Sequence, residues 1–258
     1  MRVPPPQPQR STAARPRNPG TITTGLVGWW RADQGVYQDT GGTTPATNGS
    51  VVARWNDLSG NGRHATQATG VNQPTYTADA ISGYPGIYVG ASTWLATASV
   101  AAVANTDLTM MAVYDRPANT ANLHVVNCVI TADPPPLQAI LIAVWSPGTP
   151  ATAGYAGRNS SGSGVTAYAD AGPGGNVAIG RLAALTTVRT NLGATRTASV
   201  SGANHTNSTN TNICPAGRSD SPTTGQGINC LESAIWSRQL TDAEVASLIA
   251  YAKARYGL

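Results

Sequence analysis

Apolar and polar positions along the chain fall into two regimes. Residues 1–24 hold no run able to pack a core: Pro4, Pro5, Pro6, Pro8, Pro16 and Pro19 stand among Arg, Gln, Ser and Thr, a composition that favours extended, polyproline-like backbone. From Gly25 the pattern changes. Leu26 to Trp30, Val51 to Trp55, Tyr84 to Val89 and Leu108 to Tyr114 are short segments rich in β-branched and aromatic residues and read as strands. The most apolar stretch is Leu123 to Thr131 followed by Leu137 to Trp145. Asp133-Pro134-Pro135-Pro136 lies between these two runs and stops a helix from bridging them, so they are expected as paired core strands. Val165 to Ala169, Leu185 to Val188, Thr195 to Val200 and Asn229 to Trp236 continue the series, each bounded by Gly, Asn, Ser or Pro clusters. Ser201 to Asn212 is a Ser/Thr/Asn tract expected as a surface loop. Helical spacing comes only at the end. Val245, Leu248, Ile249, Ala252 and Tyr256 form one stripe, Thr241 with Glu244 makes a capping box, and Gly257 stands where a helix-ending glycine belongs. The pattern predicts an all-β, two-sheet antiparallel sandwich over residues 25–258 with one C-terminal helix, preceded by an extended arm over 1–24.

Composition sharpens this picture. Phenylalanine is absent and charged residues make up 11% of the chain, so core bulk must come from Trp, Tyr, Leu, Ile and Val; Trp29, Trp30, Trp55 and Trp236 are the expected core aromatics. A formal charge of +4 would suggest a polyanion partner if it were spread over the fold. It is not. Arg2, Arg10, Arg15 and Arg17 all precede the first acidic residue, Asp33, and leave twelve basic against twelve acidic residues in the remainder. The body is therefore neutral, which argues against nucleic acid as a partner. Those four arginines are the candidate anchoring residues of the arm, acting on whatever acidic surface they meet. The first twenty residues contain no apolar stretch of signal-peptide type, and no run approaches the eighteen or so apolar residues of a membrane span. Neither export nor membrane anchoring is expected. Cys128, Cys214 and Cys230 show no metal-ligand spacing; buried thiols are the expectation, with a Cys214–Cys230 pair as the alternative.

Two motifs carry the remaining signal. One is Trp55-Asn56-Asp57-Leu58-Ser59-Gly60-Asn61-Gly62-Arg63-His64-Ala65, and the other is Leu231-Glu232-Ser233-Ala234-Ile235-Trp236-Ser237-Arg238-Gln239-Leu240 leading into the helix. In the first, carboxylate and hydroxyl groups next to Asn-Gly predict a tight turn. The alternative is a calcium site on Asp57, which the scarcity of nearby acids disfavours. His64 has no second ligand at metal spacing and is expected to be structural. Together the motifs resemble the concanavalin A-like lectin/glucanase superfamily, in particular the laminin G-like jelly-roll domains of bacterial and phage proteins. The resemblance implies a jelly roll and raises three functions.

Glycoside hydrolysis would need two carboxylates flanking a bond, and the Glu-x-Asp-x-Glu arrangement of the glucanases is missing. Glu232 lies where related domains often carry a glutamate, but Cys230 and Ala234, taken as its neighbours on one strand face, supply no second acid. No other catalytic motif is present, so no catalytic residue, metal or cofactor is assigned, calcium being the one cofactor the resemblance leaves open. Sugar binding draws on Trp94, Trp145, Tyr155 and Tyr168 near loops, with Trp145 and Tyr155 as the candidate ligand-binding residues. The leading expectation is a non-enzymatic phage virion protein, a head decoration, fibre or tail-attached module assembled in the bacterial cytoplasm. Residues 1–24 would anchor it to neighbouring virion subunits, and a homo-oligomer, a trimer by analogy with projecting virion proteins, is expected. The second is a carbohydrate-binding receptor-recognition module with a host surface glycan as partner. A hydrolase is the third.

Overall fold

A computed structural model describes residues 16–103, 107–116, 124–131, 139–145, 152–158, 164–170, 174–182, 185–190, 196–199, 211–217 and 227–258. In chain order the first strands are β1 (Leu26–Arg31), β2 (Val36–Tyr37), β3 (Arg54–Trp55), β4 (Ala65–Thr66), β5 (Thr75–Ile81) and β6 (Tyr84–Val89). Next come β7 (Trp94–Leu95), β8 (Leu108–Arg116), β9 (His124–Thr131), β10 (Ala139–Trp145), β11 (Thr152–Arg158) and β12 (Gly164–Asp170). The last are β13 (Gly174–Leu182), β14 (Leu185–Thr190), β15 (Arg196–Ser199), β16 (Thr211–Cys214), β17 (Ala216–Gly217) and β18 (Ile228–Trp236), before helix α1 (Asp242–Tyr256).

An eight-stranded sheet runs β15-β14-β13-β8-β18-β6-β5, with β1 also paired to β18, and a five-stranded sheet runs β12-β11-β10-β9-β16. Pairing in both is antiparallel, and β9 pairs β10 as their apolar runs predict. Both faces of the larger sheet are covered at β8. Met110, Ala112 and Tyr114 of β8 join Trp30, Trp55 and Ile213 in the core between the sheets, while Met111 and Val113 join Trp236 and the stripe of α1 on the other side. Double burial explains why Met110–Tyr114 of β8 is a continuous apolar run rather than an alternating one.

One β-bulge decides the local chemistry. Cys230 pairs with Tyr114 and Glu232 with Val113, so Leu231 is an extra residue in β18. The extra residue reverses which face the following positions occupy. Cys230 therefore faces the inter-sheet core, and Glu232 turns toward α1 with Ala234. The expectation that Cys230 and Glu232 share a face is corrected by this bulge, which strict alternation does not reveal.

Helix α1 starts and stops as its sequence predicts. Glu244 donates its backbone N–H to Thr241 Oγ1 at 3.2 Å, and Thr241 returns its own N–H to Glu244 Oε2 at 2.8 Å. Gly257 closes the helix at φ 71°, a left-handed conformation that glycine adopts without penalty. Val245, Leu248, Ile249, Ala252 and Tyr256 are its buried residues, the stripe read from the sequence. Gly28 is needed for close approach: a Cβ there would lie 2.2 Å from the ring of Trp30.

The junction between arm and sandwich lies earlier than Gly25. Pro19–Thr21 form a turn of 3₁₀ helix, and Ile22 is buried in the cluster under α1. Trp236 Nε1 donates to the Ile22 carbonyl at 2.8 Å, and the Arg17 N–H donates to Ser247 Oγ at 2.7 Å. An apolar side chain and a carbonyl suited to an indole draw this segment onto the body. Of the four candidate anchoring residues, Arg17 thus stands at the root, its guanidinium donating to the Thr21 carbonyl, while Arg2, Arg10 and Arg15 lie outside the described residues.

Other differences concern weakly patterned segments. Val51 to Trp55 yields only the two-residue β3, with Val51 in an isolated bridge to Thr75. The polar run of β5 and the glycine-rich β13 form strands that the apolar pattern does not announce. Most of the Ser201–Asn212 tract lies outside the described residues.

Candidate functional site

Glu232 is fully buried beneath α1. Its Oε1 accepts from Trp29 Nε1 at 2.7 Å, and its Oε2 accepts from the Tyr256 hydroxyl at 2.8 Å and the Tyr251 hydroxyl at 3.2 Å. Trp29 comes from β1 and the two tyrosines from α1, so one carboxylate ties a central strand to an edge strand and to the helix. Around it, Asp33 accepts from Arg31 and from Arg255, each at 2.6 Å. The Arg255 guanidinium lies over the rings of Tyr84 and Tyr256 at 4.9 and 5.4 Å. Burial pushes the Glu232 carboxyl above the usual carboxylate range, against the opposing pull of its hydrogen bonds and of Arg31 and Arg255. Burial and the nearby carboxylate push both tyrosine hydroxyls up.

Such a group has the upward pKa shift of a general acid but not the access of one. Both oxygens are occupied by donors from the protein itself, and no solvent reaches the side chain. Trp29, expected in the core, is half-buried and serves this carboxylate, whereas Trp30, Trp55 and Trp236 are fully buried as expected.

The Asp57 motif is a turn. Asp57 Oδ1 accepts the backbone N–H groups of Trp29 at 3.0 Å and Ser59 at 2.8 Å; Oδ2 accepts the Ser59 hydroxyl at 2.8 Å and the Arg63 N–H at 3.0 Å. Asn61 Nδ2 donates to the Leu26 and Val27 carbonyls, and Gly60 and Gly62 take positive φ. These bonds splice the turn onto β1 and give both oxygens of this carboxylate N–H or O–H donors. Among the described residues no group of three or more His, Cys, Asp and Glu is placed to hold a metal ion.

His64 belongs to the same turn and accepts the Asp57 N–H on Nδ1 at 3.2 Å. Burial and the charge of Arg54 hold its pKa below 6.5, against the pull of Asp57. The fold thus prefers neutral His64: its contribution is intact above about pH 6.5 and is lost as pH falls through the lower folded value. We expect the wild-type melting temperature to drop between pH 7 and 5, and H64Q, which cannot protonate, to show a shallower drop in the same series; equal slopes would contradict this role.

Cys214 and Cys230 are both buried and no disulfide joins them, which corrects that alternative. Cys230 faces the inter-sheet core, and its thiol is pushed up to about 12 by burial.

The candidate ligand residues Trp145 and Tyr155 lie on β10 and β11, Trp145 in register with Thr152 and Tyr155 with Ile142 and Ala167. The side chains of both lie outside the described residues.

A different aromatic is open to solvent. Tyr88 is 40% exposed and Val51 44%. Val51 pairs with Thr75, Thr75 with Tyr88, Tyr88 with Asn229 and Asn229 with Asp115, so these five residues form one row across the larger sheet. Thr75, Asn229 and Asp115 are half-buried, and Asn229 Oδ1 is buried without a hydrogen bond. Sequence reading missed this row because its members are scattered over positions 51 to 229. The one local signal was a tyrosine between the core residues Ile87 and Val89, where alternation turns it outward.

Neither a protein-family model nor a curated protein matches the sequence. Solved structures do match in shape. The binding domain of Paraclostridial Mosquitocidal Protein 1 is 11% identical, with 89% of this chain and 52% of that one covered at a TM-score of 0.59. The receptor binding domain of botulinum neurotoxin D is 6% identical over 91% of this chain and 54% of that one, at 0.54. Trypanosoma rangeli sialidase in complex with sialic acid is 13% identical over 87% and 32%, at 0.54. The fold is an antiparallel β-sandwich. The chain spans about half of the two toxin chains and a third of the sialidase. Enzymes and binding domains both occur among these neighbours, so the likeness establishes architecture and leaves activity to the site.

Proposed function

We propose that this protein is a non-catalytic carbohydrate-recognition module. The observation that carries the reading is Glu232: the acid whose position and upward shift suit glycosidase chemistry is fully buried and holds three protein donors. A glycosidase acid must reach the glycosidic oxygen, with a second carboxylate within about 10 Å on the other side of the bond. Glu232 serves as a clasp instead. Support for recognition comes from the lectin-like sandwich, shared with domains named for binding, and from an exposed aromatic flanked by polar groups.

The test is a panel of oligosaccharides screened for binding and, in parallel, for release of reducing ends. Binding without release is the expected result. Turnover that E232Q abolishes would overturn the reading.

A positional role in a virion is the second reading, favoured by one observation. Residues 17–22 are fixed to Ser247 and Trp236, so a tether formed by residues 1–15, with Arg2, Arg10 and Arg15, would leave the body from a defined point beside α1. Deleting residues 1–15 should then abolish incorporation into the particle while leaving the melting temperature unchanged.

A further inference from the structure

We propose that the row Thr75, Tyr88, Asn229 and Asp115 is the saccharide site, and that it takes a neutral oligosaccharide lying across the strands. This rests on the recognition reading above.

The row lies on the face of the larger sheet that α1 covers, just past the end of the helix. Leu258 and Ile81 close it at one end, where they pack on Gly175, the residue paired with Asp115: a Cβ on that glycine would lie 2.4 Å from Leu258 Cδ2 and 2.8 Å from Ile81 Cδ1. From there the row emerges into solvent at Tyr88. The neighbouring row, Tyr76, Ile87, Cys230 and Tyr114, faces the inter-sheet core. Tyr88 is thus exposed because of its parity in β6, in a segment too well paired to turn it inward.

The chemistry of the row selects the ligand. An exposed tyrosine ring offers an apolar face with a polar edge, the surface that the C–H face of a sugar ring covers. Around it stand acceptors: the Asp115 carboxylate, the Thr75 hydroxyl, and the Asn229 carbonyl oxygen, which is buried and bonds to no described donor. A buried acceptor without a donor costs free energy, so it has capacity for a hydroxyl delivered beside the Tyr88 ring. No lysine or arginine belongs to the row, so hydroxyl donors match it and anionic sugars do not. Strands lie about 4.8 Å apart, which sets Thr75 and Asp115 roughly 14 Å from each other. That span suits a short chain of sugars rather than a single one.

Isothermal titration of the full chain with cellohexaose, xylohexaose, laminarihexaose and mannohexaose, and with sialyllactose as the acidic probe, tests this. We expect at least one neutral hexaose to bind. Y88A should weaken it tenfold or more with an unchanged melting temperature, N229A should weaken it, and Y88F, which keeps the ring, should retain most of the affinity. Saturating hexaose should also protect Tyr88 from nitration in the wild type, a readout that needs no variant. Hexaose binding that Y88A leaves intact and that gives no protection overturns the row while the recognition reading stands; loss in W145A instead would move the site to the five-stranded sheet. Preference for sialyllactose overturns the neutral specificity. Silence toward every probe overturns both.

Discussion

E232A should destabilise the fold by about 2–4 kcal/mol in urea titration at neutral pH, among the largest effects available to a single side chain outside the aromatic core. Removing the carboxylate leaves Trp29 Nε1 and the hydroxyls of Tyr251 and Tyr256 in a cavity without their acceptor, and each unpaired buried donor costs about 1–3 kcal/mol before relaxation. Relaxation is partial. The tyrosine hydroxyls can rotate, but the indole N–H is fixed by the ring, which also lies under the Arg31 guanidinium at 5.6 Å. E232Q keeps the volume and one acceptor, so it should cost less.

The same group sets a pH signature. Its pKa is raised in the fold from an unfolded value of 4.5, so its favourable contribution is complete below about pH 4.5, falls as pH rises, and is gone above the folded value. E232Q should remove that decline while leaving the opposite, acid-side decline that we assign to His64. A variant series in which E232Q and wild type keep parallel stability profiles from pH 4.5 to 8 would show that Glu232 ionises without cost.

W236A should cost about 3–5 kcal/mol, the usual range for truncating a buried aromatic, and should do so in an asymmetric way. Trp236 is fully buried in the cluster beneath α1 and donates its indole N–H to the Ile22 carbonyl. Its loss opens a cavity and also releases the segment that carries Arg17. W236F restores most of the packing but not the hydrogen bond, so it should recover the larger part of the stability. Limited proteolysis separates the two effects: cleavage near Thr21 to Thr24 should accelerate in both variants, and more than cleavage elsewhere. If W236F protects that segment as well as the wild type does, the indole bond is not what holds it.

Legibility in the sequence followed the physics of each element. α1 was readable to the residue because its signals are local: a hydroxyl three positions before a carboxylate, a stripe at helical spacing, and a glycine that takes φ 71°. The Asp57 turn was readable for the same reason, since its bonds reach residues 59 and 63. The apolar runs of β8, β9, β10 and β18 announced strands because β-branched and other apolar residues cluster in each between turn-forming segments. Strand β5 was not readable, because none of its residues is fully buried and its place is fixed by pairing with β6.

The clasp and the row show why the rest was hidden. Glu232 looked isolated in the sequence. Its partners are Trp29, some two hundred positions earlier, and two tyrosines of α1, and it meets them only because Leu231 bulges and turns the strand over. Nothing local to Asn229 marks it as the neighbour of Tyr88 and Asp115. By itself the sequence determined the class of fold, the helix with its caps, the turn on Asp57 and most of the aromatic core, because hydrophobic period and short-range hydrogen bonding act between near neighbours. Only the tertiary structure decided which face Glu232 occupies, where residues 17–22 dock and which side chains share an open row, because strand register and bulges are settled by packing between segments far apart in the chain.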